Sequence, residues 1–319
     1  MNLLEERNYY KPFNYPWAFE YYKQQQHMHW LPDEVNLADD LRDYRDKMSE
    51  GNKRLLGQIF RFFTQADVDV CCGYAKHYLP TFKQPEVRMM LSAFAAMEAV
   101  HQEAYSLLLE TLGFSDDEYQ KFFEHKEMLD KHEYLSNFGM GTPIDIAKTM
   151  AIYSGFTEGV QLFSSFAILL NFPRHNLMKG MGQIVTWSVR DESLHVEGMS
   201  HLFRSFVQEN PQLWTDDLKY EIYCAAERTV ELEDAFIDLC FEGAEVPDLT
   251  AEEVKEYIRY IADRRLLGLG LKKIFGSDAN PLPWLDYMLN GVEHTNFFEN
   301  RATEYSRAST TGNWQDIFK

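Results

Sequence analysis

The chain has 319 residues, of which 45% are hydrophobic and 15% aromatic, so it can bury a substantial core. Its formal net charge of −19 excludes a nucleic-acid partner, because phosphate binding needs a basic face. The four cysteines (Cys71, Cys72, Cys224, Cys240) form no CxxC pair and no zinc-like spacing, which predicts reduced thiols in a cytoplasmic protein. The N-terminus MNLLEERNYY has no charged-then-apolar leader pattern.

Residues 36–48 are polar and predict a surface helix. A helical period then runs from Asn52 to Tyr78, ending at Leu79-Pro80, and another from Glu86 to Leu112, closed by Gly113. Segment 116–135 is charged and amphipathic. Gly141-Thr142-Pro143 predicts a helix start, with Thr142 as N-cap and Pro143 in the first turn. That helix crosses the apolar 147–171 region and stops near Pro173. Glu158 and Gln161 interrupt the apolar run Ala151–Phe172, and basic flanks are lacking, so it is expected to be a buried helix and no membrane span. Helical patterns return over 175–208, 216–242 and 250–274. After Pro281-Leu282-Pro283 the chain turns polar and irregular, with a tail from Thr295. No alternating strand pattern is present, and the expected class is all-α, with four long helices at its heart.

Two of those helices carry the same signature. Glu98 and His101, three residues apart, project from one helix face, and Glu192 and His195 in VRDESLHVEG repeat the spacing. No other histidine of the ten has Glu three residues before it. Each pair is preceded by an apolar helix with one intruding carboxylate: Asp67 in FFTQADVDV and Glu158 in GFTEGVQLF. A four-helix bundle would gather these six groups in its core, the donor set of a dinuclear carboxylate site. Four carboxylates balance two divalent cations; without metal, such burial would force protonation. Oxygen donors with two imidazoles suit Fe or Mn better than thiophilic metals. Tyr105 lies four residues beyond His101, roughly 6 Å along the axis and on the same face. A phenol there, among apolar candidates such as Leu108, Leu162 and Phe166, could be oxidised and shielded from water.

With these motifs the chain resembles the small, radical-generating subunit of class I ribonucleotide reductase, from about Trp30 to Phe318. The resemblance implies a ferritin-like helical bundle, with Asp67, Glu98, His101, Glu158, Glu192 and His195 as metal ligands and Tyr105 as the radical tyrosine. The RDExxH form of Arg190–His195 is its most specific element. The family's relay tryptophan matches Trp30 in HWLPDEV, which implies a hydrogen-bonded chain from Trp30 through Asp191 to His101. Tyr305 stands where the family places a tail tyrosine, and Trp314, Asp316, Ile317 and Phe318 resemble a docking segment. The family thus implies a metal domain over 1–294 and a tail over 295–319 that docks on the large catalytic subunit, where ribonucleotides become deoxyribonucleotides. It also implies a homodimer.

The ligand types leave the metal open: Fe/Fe is favoured, Mn/Mn or a mixed pair is compatible, and manganese would imply a separate flavoprotein activator. Cys71, four residues after Asp67, is expected to pack against the bundle rather than meet the metals. A ferritin-like dimetal oxidase or monooxygenase would share the six ligands without needing Trp30, Tyr305 or the tail. A non-catalytic iron-handling bundle would dispense with Tyr105 as well.

Overall fold

The computed structural model describes residues 2–135 and 139–289, and no strand occurs among them. The α-helices up to Gly268 are, in order, α1 (Pro16–His27), α2 (Ala38–Asp46), α3 (Glu50–Gly73), α4 (Leu79–Thr81), α5 (Pro85–Leu112), α6 (Asp117–Gln120), α7 (Lys126–Leu135), α8 (Pro143–Thr149), α9 (Phe163–Arg174), α10 (Lys179–Glu209), α11 (Asp216–Phe241) and α12 (Ala251–Gly268). Two π-helical stretches widen the path, Tyr74–Tyr78 after α3 and Met150–Gln161 between α8 and α9. The chain divides into two compact units, Met1–Pro281 and Leu282–Lys319. In the second, 283–289 is helical, where the sequence pattern suggested irregular chain. The expected boundary at 294/295 and the tail with Tyr305 lie outside the described residues.

Local chemistry sets the helix ends. The Ser49 hydroxyl accepts from Asn52 N to start α3, and Thr142 and Asp145 form a capping box with Pro143 at the first position of α8. Each such cap stabilises its helix by about 1 kcal/mol. Gly113 ends α5 at φ 87°, a left-handed conformation that costs glycine nothing. The α10 start is less conventional. Its exposed N–H groups at Gly180 and Met181 are taken by the Asp40 carboxylate, while Met178 N donates to Asp43. Segment 36–48 is therefore no purely surface helix: two of its acids turn inward to cap α10.

Four elements make the central bundle. α3 packs on α5, the Met150–Gln161 stretch packs on α10, and α10 in turn meets α5. α1, α11 and α12 cover them. The helix expected through 147–171 is one continuous path in three pieces, because its centre adopts π geometry. All residues from Thr149 to Phe172 are buried, so hydrophobic periodicity there marks no face and carries no information on helix type. Segment 116–135 breaks into α6, a 3₁₀ turn (Lys121–Glu124) and α7. The last long helix ends at Gly268 rather than 274, with Gly270 at φ 83° turning the chain away. No helix of the described residues is long and apolar enough to cross a membrane.

Candidate metal centre

α3 supplies Asp67, α5 supplies Glu98 and His101, the π stretch supplies Glu158, and α10 supplies Glu192 and His195; all six are buried. Ligand atoms of Glu98, Glu158, Glu192 and His195 all lie within 4.8 Å of one another. His101 joins them through Nδ1, 3.1 Å from Glu192 Oε1 and 3.5 Å from Glu98 Oε2. His195 Nδ1 lies 2.8 Å from Glu98 Oε1 and 3.6 Å from Glu192 Oε2. Asp67 is buried beside this cluster but stands outside the four converging ligand atoms.

The decisive observation is what these atoms lack. Asp67 Oδ2, both Glu98 oxygens, Glu158 Oε1, Glu192 Oε2 and His195 Nδ1 are buried without a hydrogen-bond partner. His195 Nδ1 and Glu98 Oε1 are close, yet not aligned as a hydrogen bond. Leaving one buried polar group unsatisfied costs about 1–3 kcal/mol, and more if it is charged, so such a concentration in one core calls for protons or a cation to neutralise it. Three carboxylates and His195 that converge, with His101 and Asp67 buried beside them, fit a pair of divalent ions.

The electrostatics agree. Burial first, then the neighbouring Glu98, pushes Asp67 well above the usual carboxylate range, and Glu158 is raised by burial, Glu98 and Glu192. Burial acts on Glu192 in the same direction, but the imidazoles of His101 and His195 beside it hold it below that range. Against the burial that would lower them, the carboxylates raise both imidazoles, His195 to about 10. Without metal, the core retains protons that cations would displace.

Beyond the ligand atoms the two imidazoles are held differently. His101 Nε2 lies 3.3 Å from Asp191 Oδ2, the same oxygen that accepts from Trp30 Nε1 at 2.7 Å. A hydrogen-bonded chain Trp30–Asp191–His101 is thus present, with the Trp30 and His101 rings 6.0 Å apart. Burial would raise Asp191, but His101, Arg190 and Trp30 hold it below the usual range. His195 Nε2 instead donates to Gln25 Oε1 at 3.0 Å, while Gln25 Nε2 donates to Asp191 Oδ1 at 3.2 Å. Gln25 therefore ties the two outer shells together. Sequence reasoning missed it, because the α1 stretch PWAFEYYKQQQH has no clear apolar stripe and glutamine carries no motif. The ring of Phe94 packs 4.4 Å from that of His195, an approach open because Gly198 has no side chain to meet it.

Tyr105 is fully buried and its hydroxyl has no hydrogen-bond partner. Burial, with Asp67 next, pushes the phenol far up. Its ring lies 4.5 Å from that of Phe63, which stands 5.1 Å from Phe166. Phe63 was not among the expected neighbours, whereas Leu108, Leu162 and Phe166 are buried as the apolar pattern suggests. Cys71 is half-buried with Sγ 3.7 Å from the Ala95 carbonyl of α5, and none of the four cysteines is bridged.

Comparison with known proteins agrees with this geometry. A probable ribonucleoside-diphosphate reductase small subunit of invertebrate iridescent virus 6 is 45% identical over a 356-residue alignment, covering 100% of this chain and 99% of that protein. The ribonucleotide reductase R2 subunit from Clostridium botulinum superposes with a TM-score of 0.78 at 21% identity, over 86% of this chain and 89% of that one. The dimanganese(II)-NrdF of Streptococcus sanguinis superposes with 0.73 at 24% identity, over 86% and 96%. The description "Ribonucleotide reductase, small chain" matches residues 7–281 as a family, and the chain belongs to it: this is a ribonucleotide reductase small chain.

Proposed function

We propose that this chain holds two metal ions on Asp67, Glu98, His101, Glu158, Glu192 and His195 and stores an oxidising equivalent on Tyr105 for a large catalytic subunit that reduces ribonucleotides. One observation carries it: the converging carboxylate and imidazole atoms are buried without partners, beside a phenol that is equally unpartnered. The bound metals would supply the one-electron oxidising power, drawn from dioxygen, that a phenol requires. Fe/Fe is the favoured pair, and Mn/Mn or a mixed pair uses the same donors. A neighbour in fold is a dimanganese protein, and manganese here would call for a flavoprotein activator.

The chain's own residues have separable tasks. Nε2 of His101 and of His195 are fixed from outside, which aims both Nδ1 atoms inward. Phe63 and Phe166 keep water from Tyr105. Trp30 and Asp191 form the route by which an electron reaches the centre, and Tyr305, outside the described residues, continues it toward the large subunit. Residues 1–294 form the metal domain; 295–319 form the tail that docks through Trp314, Asp316, Ile317 and Phe318. The working unit is a homodimer in the cytoplasm.

The test is reconstitution of metal-free protein with Fe(II) and dioxygen, or with Mn(II), followed by metal analysis and EPR. Wild type should bind two metals per chain and show a long-lived tyrosyl signal. Tyr105→Phe should bind the same metals without that signal. A persistent signal unchanged in Tyr105→Phe would overturn the assignment.

A further inference from the structure

The core holds a second phenol placed against the ligands, one that the radical assignment above does not use. Tyr74 is fully buried, and its hydroxyl donates to Glu158 Oε2 at 2.8 Å. The other oxygen of that carboxylate, Oε1, has no partner and stays available to a metal. Glu158 thus offers one oxygen to the centre and one to Tyr74. The Tyr74 ring also lies 6.4 Å from the His195 ring and 6.3 Å from that of Phe94, edge to face, inside the bundle.

Position in the chain repeats the first case. Tyr105 follows Glu98 by seven residues, and Tyr74 follows Asp67 by seven. The two phenols flank the ligand cluster from different sides: Tyr105 feels Asp67 and His101, whereas Tyr74 feels Glu158 and touches His195. Their oxygens differ too, since Tyr105 has no hydrogen-bond partner and Tyr74 has a base in contact. Oxidising a phenol to a neutral radical removes an electron and a proton together. Only Tyr74 has a proton acceptor already in hydrogen-bond contact.

We infer that Tyr74 is a second oxidisable tyrosine of the centre, serving the Glu158 side. In that step Tyr74 would give up one electron to the oxidising power that metals held on these ligands would draw from dioxygen, while its phenolic O–H bond breaks and the proton forms an O–H bond on Glu158 Oε2. The product is a neutral phenoxyl that accepts a hydrogen bond back from the protonated carboxyl. It catches an oxidising equivalent when Tyr105 is absent or already oxidised. This rests on the metal-loaded reading proposed above.

Rapid-freeze EPR on protein reconstituted with Fe(II) and mixed with dioxygen tests it, using wild type, Tyr105→Phe, and the Tyr74→Phe/Tyr105→Phe double variant, each grown with ordinary and ring-deuterated tyrosine. Tyr105→Phe should show a transient signal that narrows on deuteration and has smaller g-anisotropy than the wild-type radical, because its oxygen is hydrogen-bonded. The double variant should lose that signal while binding the same iron. A wild-type radical with iron-loaded Tyr105→Phe silent would overturn the Tyr74 inference and leave the Tyr105 reading standing. A transient that survives in the double variant would overturn it as well, by placing the radical elsewhere. Silence of wild type and variant alike, with iron and with activated manganese, would overturn both.

Discussion

Around His101 the outer ring nitrogen meets a carboxylate, Asp191, whose same oxygen takes the indole N–H of Trp30. Around His195 it meets a neutral amide, Gln25, and no tryptophan. The inner nitrogens point at the same carboxylates, so the halves match as ligand sets and diverge one layer out. The carboxylates show a similar split. Asp67 sits on regular α-helix with Oδ2 unpartnered, whereas Glu158 sits on π-helical chain with Oε2 held by Tyr74. A repeated ligand pattern therefore does not make two equivalent sites. The first half runs out through a hydrogen-bonded chain to Trp30, and the second is braced by neutral groups.

Several measurements would break or sharpen that contrast. The largest effect is expected at Glu98, whose oxygens approach the Nδ1 atoms of both imidazoles. Glu98→Ala should abolish the two-metal stoichiometry in elemental analysis. It should also erase the thermal stabilisation that metals give wild type, which at a thousandfold excess over Kd is worth about 4 kcal/mol. Retained stoichiometry would mean that the halves do not share this carboxylate.

Asp191→Asn comes next. It removes the charge that holds both His101 and Trp30, and turnover with the large subunit should fall about 10- to 100-fold. Metal content should fall much less, and equal losses of both would erase the distinction between wiring and bracing. Gln25→Leu should do the reverse at smaller scale: weaker binding of one metal of the two by about 10-fold, seen in competition titrations with a chelator. The smallest effect is in pH. Both imidazoles are raised, His195 to about 10, so the metal-free centre holds imidazole protons at neutral pH and metal binding must release them. Apparent affinity should rise with pH below the His195 value of about 10, by about tenfold per unit for each proton displaced, with proton release visible by calorimetry in buffers of different ionisation enthalpy. A flat profile would mean that the imidazoles carry no displaceable proton before metal arrives.

Legibility in the sequence followed the same layering. The two ExxH pairs were readable because metal ligation demands particular residue types at helical spacing, and helix ends at Gly113 and Thr142 were readable because caps demand particular backbone chemistry. The layer outside was not. Gln25 and Tyr74 act through single hydrogen bonds that only the fold creates, and neither residue type announces such a role. The inward turn of Asp40 and Asp43 escaped because acids in a charged stretch look solvated until the helix start they cap is in place. π geometry escaped because a wholly buried segment has no polar face to betray its pitch.

That segment has a consequence for how the chain can vary over evolutionary time. A π turn closes its hydrogen bonds over five residues where an α turn uses four, so Met150–Gln161 stores chain length inside an otherwise continuous helical path. A lineage that lost one residue between Met150 and Thr157 could recover α-helical bonding there, but Glu158 would swing around the axis away from Glu98 and His195. Chain length in that stretch thus sets one carboxylate's bearing, and single-residue deletions should be tolerated far better at 139–142, ahead of α8.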